Sequence, residues 1–419
     1  MSTMDTTPDP TDETLDARQA AELLGVKRAT LYAYVSRGLL KALPTEGRAS
    51  RYLRAEVERL RTRSAGRSGQ TAAASGALRF REPAMDTAIT AITPRGPVYR
   101  GQAALDLAAG GVAFEPTAEL LWRGVAEADD ELWRGAPPLL DLGIESLWLP
   151  NGATPTDAIR LTLSLVDGKR PPAGPRAEAL ERADARRIIR LLASAAGTAR
   201  DPAAAQAALA APSVAAALAV SFGVIPSDRV VGALDQALVL AADHELTVST
   251  FTARIVASTG AELTACLVAA AAALSGPRHG GMCSRVEGLL EEATSLSAPA
   301  DVLARRHARG EVVAGFGHPL YPDGDPRGPA LLALARAVDD GADPATVAAL
   351  AVAEGMARGG QPAPSLDFGL VALACALGLP RGAAQAIFAV ARVAGWVAHV
   401  LEQRSQGDLL RPTARYIGG

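Results

Sequence analysis

The stretch LDQALVLAADHELTVSTFTARIVASTGAELTACLVAAAAALSGPRHGG, residues 234–281, decides the fold class. Its most apolar part, LTACLVAAAAAL at 263–274, is too short and too alanine-rich to span a bilayer. A helix that is apolar on every side belongs inside a protein. The whole chain shares this character: 49% of residues are hydrophobic and only 4% aromatic. Small and aliphatic side chains let helices approach closely, which favours helices over sheets. From about residue 78 onward, long helical segments are broken by Gly and Pro, with no fixed-period repeat and no βαβ alternation. Residues 88–98, AITAITPRGPV, could hold one short hairpin. The expected fold class is all-α.

The 419 residues allow two or three domains. Net charge is −3, unevenly spread. Residues 15–63 carry 11 Lys/Arg against 5 Asp/Glu, whereas residues 1–14 carry 4 acids and no base. A basic head on an acidic body points to a nucleic-acid-binding appendage. The 3 cysteines, Cys266, Cys283 and Cys375, form no CxxC pair. That argues against a disulfide framework or structural zinc and fits a reducing, cytoplasmic setting. The polar, acidic N-terminus has no apolar core of a signal peptide, and no membrane association is expected.

Residues 1–13 read as a disordered tail, 14–61 as a compact unit, and the Ser/Gly/Ala-rich 62–77 as a flexible linker. In LDARQAAELLGVKRATLYAYVSRGLL, Ala20, Leu23 and Leu24 share one helical face and Gly25 ends that helix. A second helix starts near Arg28–Thr30 and carries Leu31, Tyr34 and Val35. Two short helices around a Gly turn make a helix-turn-helix. Its second helix would present Lys27, Arg28, Thr30 and Tyr32 to a major groove. A following turn with Arg48 and Arg51 would form a wing against phosphates, and a helix would pack through Val57 and Leu60. Ala20-Ala21, Leu24-Gly25-Val26, Thr30-Leu31-Tyr32, Gly38-Leu39 and Arg51-Tyr52 resemble the MerR/excisionase class of winged helix-turn-helix domains. The resemblance implies DNA as a partner. The competing reading is a helix-turn-helix reused for protein contact.

Of 5 histidines, three lie in dense polar motifs: ADHELTVSTFTAR (242–254), SGPRHGGM (275–282) and GFGHPLYPDGDPR (315–327). PSLDFGL (364–370) places Asp367 between Leu366 and Phe368, where desolvation raises a carboxyl toward the range of a useful base. ARVAGWVAHVLEQ (391–403) places Arg392 on an apolar helix. Gly280 and Gly281 would let backbone approach a ligand. Arg327 and Arg392 offer planar forks for carboxylates, so the implied substrate is small and polyanionic. There is no serine nucleophile elbow, HExxH or GxxxxGK[ST], and the histidines lack metal-ligand spacing, so no metal is expected. His399 and Gln403 read as satisfied core groups, His307 as solvated, Cys283 as an inert small residue, and Glu245 and Arg254 as a pair within their block.

Taken in order and approximate spacing, these blocks resemble the citrate synthase family, from Tyr99-Arg100-Gly101 and Ala118-Glu119-Leu120-Leu121-Trp122 to Arg411-Pro412. The resemblance implies a large helical domain at 78–276 and 380–419, with a small one at 277–379 inserted. It implies condensation of acetyl-CoA or a short acyl-CoA such as propionyl-CoA with oxaloacetate, the first yielding citrate for the tricarboxylic acid cycle and the second 2-methylcitrate. Acyl-CoA is then a co-substrate and no bound cofactor is needed. His279 would stabilise the enolate at the thioester, Asp367 would take the α-proton, and His318 would polarise the ketone. His244, Arg327 and Arg392 would bind oxaloacetate, Phe388 would line its site, and Arg411 would be lent across a homodimer. The chain departs from the pattern at Ala241, Pro319, Pro322 and Met282-Cys283-Ser284-Arg285, changes that bear on CoA affinity and acyl choice. The alternative from another class is a transcription regulator that uses this body as a metabolite sensor.

Overall fold

The computed structural model describes residues 14–24, 28–36, 40, 43, 50–54, 57, 85–134, 149–168, 176–321, 324–339 and 343–413. The tail at 1–13, Lys27, Arg48, the linker at 62–77 and Pro322 lie outside the described residues, as does the side chain of Arg28. The chain divides into two compact units, residues 1–86 and 87–419.

In the first unit, strand Thr14–Asp16 precedes helices Ala17–Leu24 and Arg28–Ser36 and pairs antiparallel with Arg51–Leu53, Leu15 facing Tyr52. The first helix starts at Asp16 for a local reason. The Asp16 carboxylate accepts from Arg18 N at 2.7 Å and Gln19 N at 2.8 Å, and Gln19 Oε1 accepts from Asp16 N at 3.0 Å. This reciprocal pair satisfies donors that a helix start leaves free. Leu15, Ala20, Ala21, Leu31, Leu40, Tyr52 and Val57 form the core. Of the expected DNA-facing side chains, Tyr32 is exposed, Thr30 is half-buried, and Arg51 is exposed on the strand.

Among the described residues, the second unit is helical apart from one small sheet. Its hairpin joins Thr90–Thr93 to Gly96–Tyr99, with Thr90 opposite Tyr99, and Gln102–Ala103 adds a third strand. The expected hairpin is therefore present and reaches one residue beyond 98. Helix Ala104–Ala109 packs against it, and beyond it Asp228–Ala241, Val248–Ser258 and Leu263–Leu274 all pack on the 24-residue helix Ala383–Gln406. That last helix is long and apolar enough to cross a membrane by composition, but 94% of its apolar window is buried within the protein, as in a core helix.

Alanine and glycine make this packing possible. Gly395, midway along Ala383–Gln406, donates its N–H to Ala242 O at 3.1 Å. A Cβ there would stand 2.2 Å from Asp243 Oδ1, so only glycine lets the helix touch the 241–244 turn. The same helix contributes Glu402, Gln403 and Gln406 around the fully buried Arg254, at 2.6–2.9 Å. Arg254 thus pairs with Glu402 rather than with Glu245. A charge buried this deeply stays only where its hydrogen bonds are met, and Glu402 lay too distant in sequence to be foreseen.

Candidate active site

Three chain reversals bring the polar motifs together. The first is the end of Asp228–Ala241, where the last carbonyls of a helix have no partner within it. Here side chains from elsewhere satisfy them. Tyr99 Oη donates to Val239 O at 3.0 Å, Arg392 Nε donates to Ala241 O at 2.9 Å, and Arg327 Nη1 approaches Leu240 O at 3.5 Å. The helix end and the two arginines therefore position one another. His244 follows directly, 4% exposed, its Nε2 2.7 Å from Tyr321 Oη. Its ring meets that of His318 edge-on with centroids 5.2 Å apart. Burial, with the charges of Arg327 and Arg392, holds His244 well below the usual histidine range.

The second reversal is the 275–281 turn. Gly280 and Gly281 do not open the backbone to a ligand. A Cβ on Gly280 would lie 2.8 Å from Leu274 O, and one on Gly281 2.9 Å from Gly276 O. The glycines fold the turn onto the helix before it, and this fixes His279. Its hydrogen bonds favour one tautomer. Trp396 Nε1–H can only donate, and it reaches Ser249 Oγ at 3.1 Å. The Ser249 hydroxyl can then donate to His279 Nε2, 2.8 Å away and nearer than its other acceptor, Thr247 Oγ1 at 3.3 Å, and this arrangement places the proton on Nδ1. Burial, with the Arg392 charge behind it, lowers His279 to about 4, so the ring is neutral at pH 7. His279 is a neutral Nδ1–H donor.

The third is a pair of loops. Gly317 N donates to Ala363 O at 3.0 Å and Ser365 N to Gly315 O at 2.7 Å, bridging Phe316 to Pro364. The Phe316 and Phe368 rings pack together beside this join, tilted by 53° with centroids 4.7 Å apart. The bridge yokes His318, two residues after Phe316, to Asp367 in the first turn of Leu366–Ala376. Leu320 N donates to His318 Nδ1 at 3.2 Å, so the His318 proton sits on Nε2. Burial and the Arg327 charge also depress His318. Asp367 is partly accessible but closely enclosed, and desolvation pushes it up to about 6 against the opposing pull of Cys283 and Arg327.

Two arginines complete the cluster and differ sharply. Arg327 is clamped by Asp325 through Nε at 3.0 Å and Nη2 at 2.7 Å. Despite burial, that pairing holds Asp325 low and Arg327 above its usual value. Arg392 is 1% exposed, lies 4.7 Å from the Phe388 ring centroid, and has no carboxylate partner within 4.0 Å among the described residues. Its Nη1 is buried without a hydrogen bond. Burial lowers it to about 10, so it remains a cation. An unpaired buried cation is costly unless a bound anion meets it. Phe388 also packs against His279, centroids 6.0 Å apart.

Of the residues expected from sequence, His244, His279, His318, Arg327, Asp367, Phe388 and Arg392 fall in this one neighbourhood, linked by the contacts above and by the fields of the two arginines. Arg411 stands exposed, apart from them. Ser249, Tyr321, Asp325 and Trp396 were not foreseen. All four lay inside quoted motifs; Ser249, Tyr321 and Trp396 meet partners from other segments, whereas Asp325 pairs with Arg327 two residues on. His399, fully buried, donates Nε2–H to Asp243 Oδ2 at 3.2 Å, while its Nδ1 is buried without a hydrogen bond among the described residues, so the expected satisfied core group is met on one nitrogen only.

Residues 80–413 match the family model described as citrate synthase, C-terminal domain, and residues 14–64 match that of a helix-turn-helix domain. The chain belongs to the citrate synthase family. It is 32% identical over 353 residues to a 2-methylcitrate synthase of Mycobacterium tuberculosis, covering 79% of this chain and 88% of that one. It is 36% identical over 199 residues to putative citrate synthase 2 of the same organism, covering 46% of this chain and 53% of that one. The match to this latter relative thus spans about half its length. A citrate synthase from Thermoplasma acidophilum, solved with carboxymethyl coenzyme A and oxaloacetate, superposes with a TM-score of 0.69 at 22% identity, covering 83% of this chain and 96% of that one. At that identity the likeness speaks for the citrate synthase fold alone.

Proposed function

We propose that the protein condenses a short acyl-CoA with oxaloacetate. One observation carries the reading: two neutral imidazoles, each held by its hydrogen bonds as a donor, share a buried site with a carboxylate of raised pKa. Asp367 takes a proton from the acyl α-carbon. His279 Nδ1–H donates to the thioester oxygen as negative charge develops there. His318 Nε2–H polarises the ketone that the enolate attacks. Donors fixed in advance where charge develops supply stabilisation without reorganisation. Neutral donors suit this step, because a protonated histidine beside Asp367 would hold its pKa down and weaken the base. Arg392 and His244 bind the oxaloacetate carboxylates, with Arg327 contributing through Nη1. Hydrolysis of the resulting thioester releases CoA. Closure of residues 277–379 as a small domain would exclude water, and Arg411 of a second copy would complete the site of a homodimer.

The test is loss of thioester absorbance with oxaloacetate, offered acetyl-CoA and then propionyl-CoA. Turnover with either supports the reading, and the faster one names the substrate. No turnover by a folded protein that binds oxaloacetate refutes it. The pH profile has a definite sign. Asp367 must be charged to act, so kcat/KM should fall about tenfold per unit below pH 6, from the raised carboxyl. A limb near 4 would mean that the base acts with an ordinary carboxyl pKa and that burial does not raise Asp367.

The relatives named above are synthases, which favours an enzyme over a metabolite-sensing regulator. The helix-turn-helix match supports DNA binding by the first unit alongside that activity. Its exposed Tyr32 and Arg51 fit a groove-and-phosphate surface. Binding of the full chain to duplex DNA should weaken with salt, and Arg51→Ala should reduce the salt slope by about 1. DNA affinity absent at low salt would end this part of the reading.

A further inference from the structure

Cys283 is the second residue of helix Met282–Thr294 and is fully buried. Its Sγ lies 3.5 Å from Asp367 Oδ1. Among the described residues no other side chain is seen to hydrogen-bond this carboxylate. The thiol approaches from a rigid direction. Cys283 sits four residues past His279, on the far side of the turn that Gly280 and Gly281 close against Leu274 and Gly276. Asp367 comes from the opposite side, on a helix start tied through Ser365 N to Gly315 O at 2.7 Å. One short segment therefore carries both the enolate donor and the group that touches the base.

We propose that Cys283 is a positioning residue for Asp367: its S–H donates weakly to Oδ1, aiming the carboxylate while leaving it basic. This rests on the acyl-transfer reading above. The donor is present throughout the working range, because burial and the neighbouring Asp367 push the Cys283 thiol well above its usual value. Weakness is the useful property. A carboxylate that accepts two or three strong N–H bonds is driven to very low pKa and loses its power as a base. A sulfur donor is long and soft, so it orients the oxygen with little loss of basicity. No bond to sulfur forms or breaks. The proton from the α-carbon goes to Asp367, and Cys283 keeps its own.

The test is the pH profile of kcat/KM for the full-length protein, followed by thioester absorbance, in Cys283→Ala and Cys283→Ser. Removing a donor from the charged form should raise the acid limb by about 0.5 pH unit and lower kcat. Serine, which restores a donor, should return the limb to the wild-type position or below it. Where alanine costs too much stability, Cys283→Val removes the donor without leaving a cavity, at the cost of a slightly larger, branched side chain. An acid limb unmoved in the donor-free variants overturns the proposal. So does serine behaving like alanine, with changes confined to KM or thermal stability. Asp367→Asn separates the two levels. If it retains turnover, Asp367 is not the base and the positioning role falls with it; if it is inactive while the Cys283 variants keep the wild-type profile, only the positioning role fails; no turnover by the wild-type protein is the failure of the acyl-transfer reading itself.

Discussion

Asp367→Asn is expected to lower kcat by about 10²–10⁴-fold, the usual contribution of a positioned general base. The amide keeps the shape of the carboxylate and can still accept from Cys283, but it cannot take a proton. The fold should tolerate the change well. The carboxyl is enclosed strongly enough to be pushed up to about 6, so its charged form is unfavourable at pH 7 and the neutral amide removes that cost. Unfolding midpoints at pH 7 should therefore be unchanged or higher. KM for oxaloacetate should stay within a few-fold or fall, because a negative charge near a dianionic ligand has gone. These signs together distinguish lost chemistry from lost structure. A kcat within tenfold of wild type would mean that another group takes the proton.

Arg392→Leu should act on binding. Its guanidinium is anchored by one bond to Ala241 O and by the Phe388 ring, while Nη1 is buried without a partner. An oxaloacetate carboxylate would satisfy that nitrogen. Truncating one partner of a buried, hydrogen-bonded charge pair costs about 2–5 kcal/mol, so KM for oxaloacetate should rise by about 30-fold or more. Stability should respond differently. In the free protein the buried cation makes no ion pair within 4.0 Å among the described residues and feels Asp243 and Asp367 only at longer range, so removing it offsets part of the lost packing. Oxaloacetate titrated into both proteins, read by calorimetry beside thermal unfolding, checks this. Unchanged affinity would remove Arg392 from the binding site, and Arg327 would then be the principal anchor despite its clamp by Asp325.

Arg327 and Arg392 show how far a sequence can be read. Both looked alike as planar forks on apolar surroundings. In the folded protein one has two of its donor nitrogens occupied by Asp325, two residues before it, and the other is left open. Similarly, Gly280 and Gly281 were legible as a special turn, but their purpose was not. Backbone approach to a ligand and backbone approach to Leu274 and Gly276 call for the same residue. Arg254 was assigned to Glu245, its near neighbour in the motif, whereas Glu402 reaches it from the opposite end of the unit.

By itself the sequence determined the class of the fold, the helix-turn-helix head, the short hairpin and the residue types that carry the chemistry. These follow from local physics: small apolar side chains at helical spacing, the Asp16–Gln19 capping pair, and histidines and a carboxylate set in glycine- and proline-bounded loops. Tertiary structure alone decided which partners His279 meets, where the buried Arg392 is anchored, and which thiol touches Asp367. Those properties depend on hydrogen bonds between segments far apart in the chain. Ser249, Trp396 and His279 span 147 positions between the first two, and no local pattern encodes that meeting.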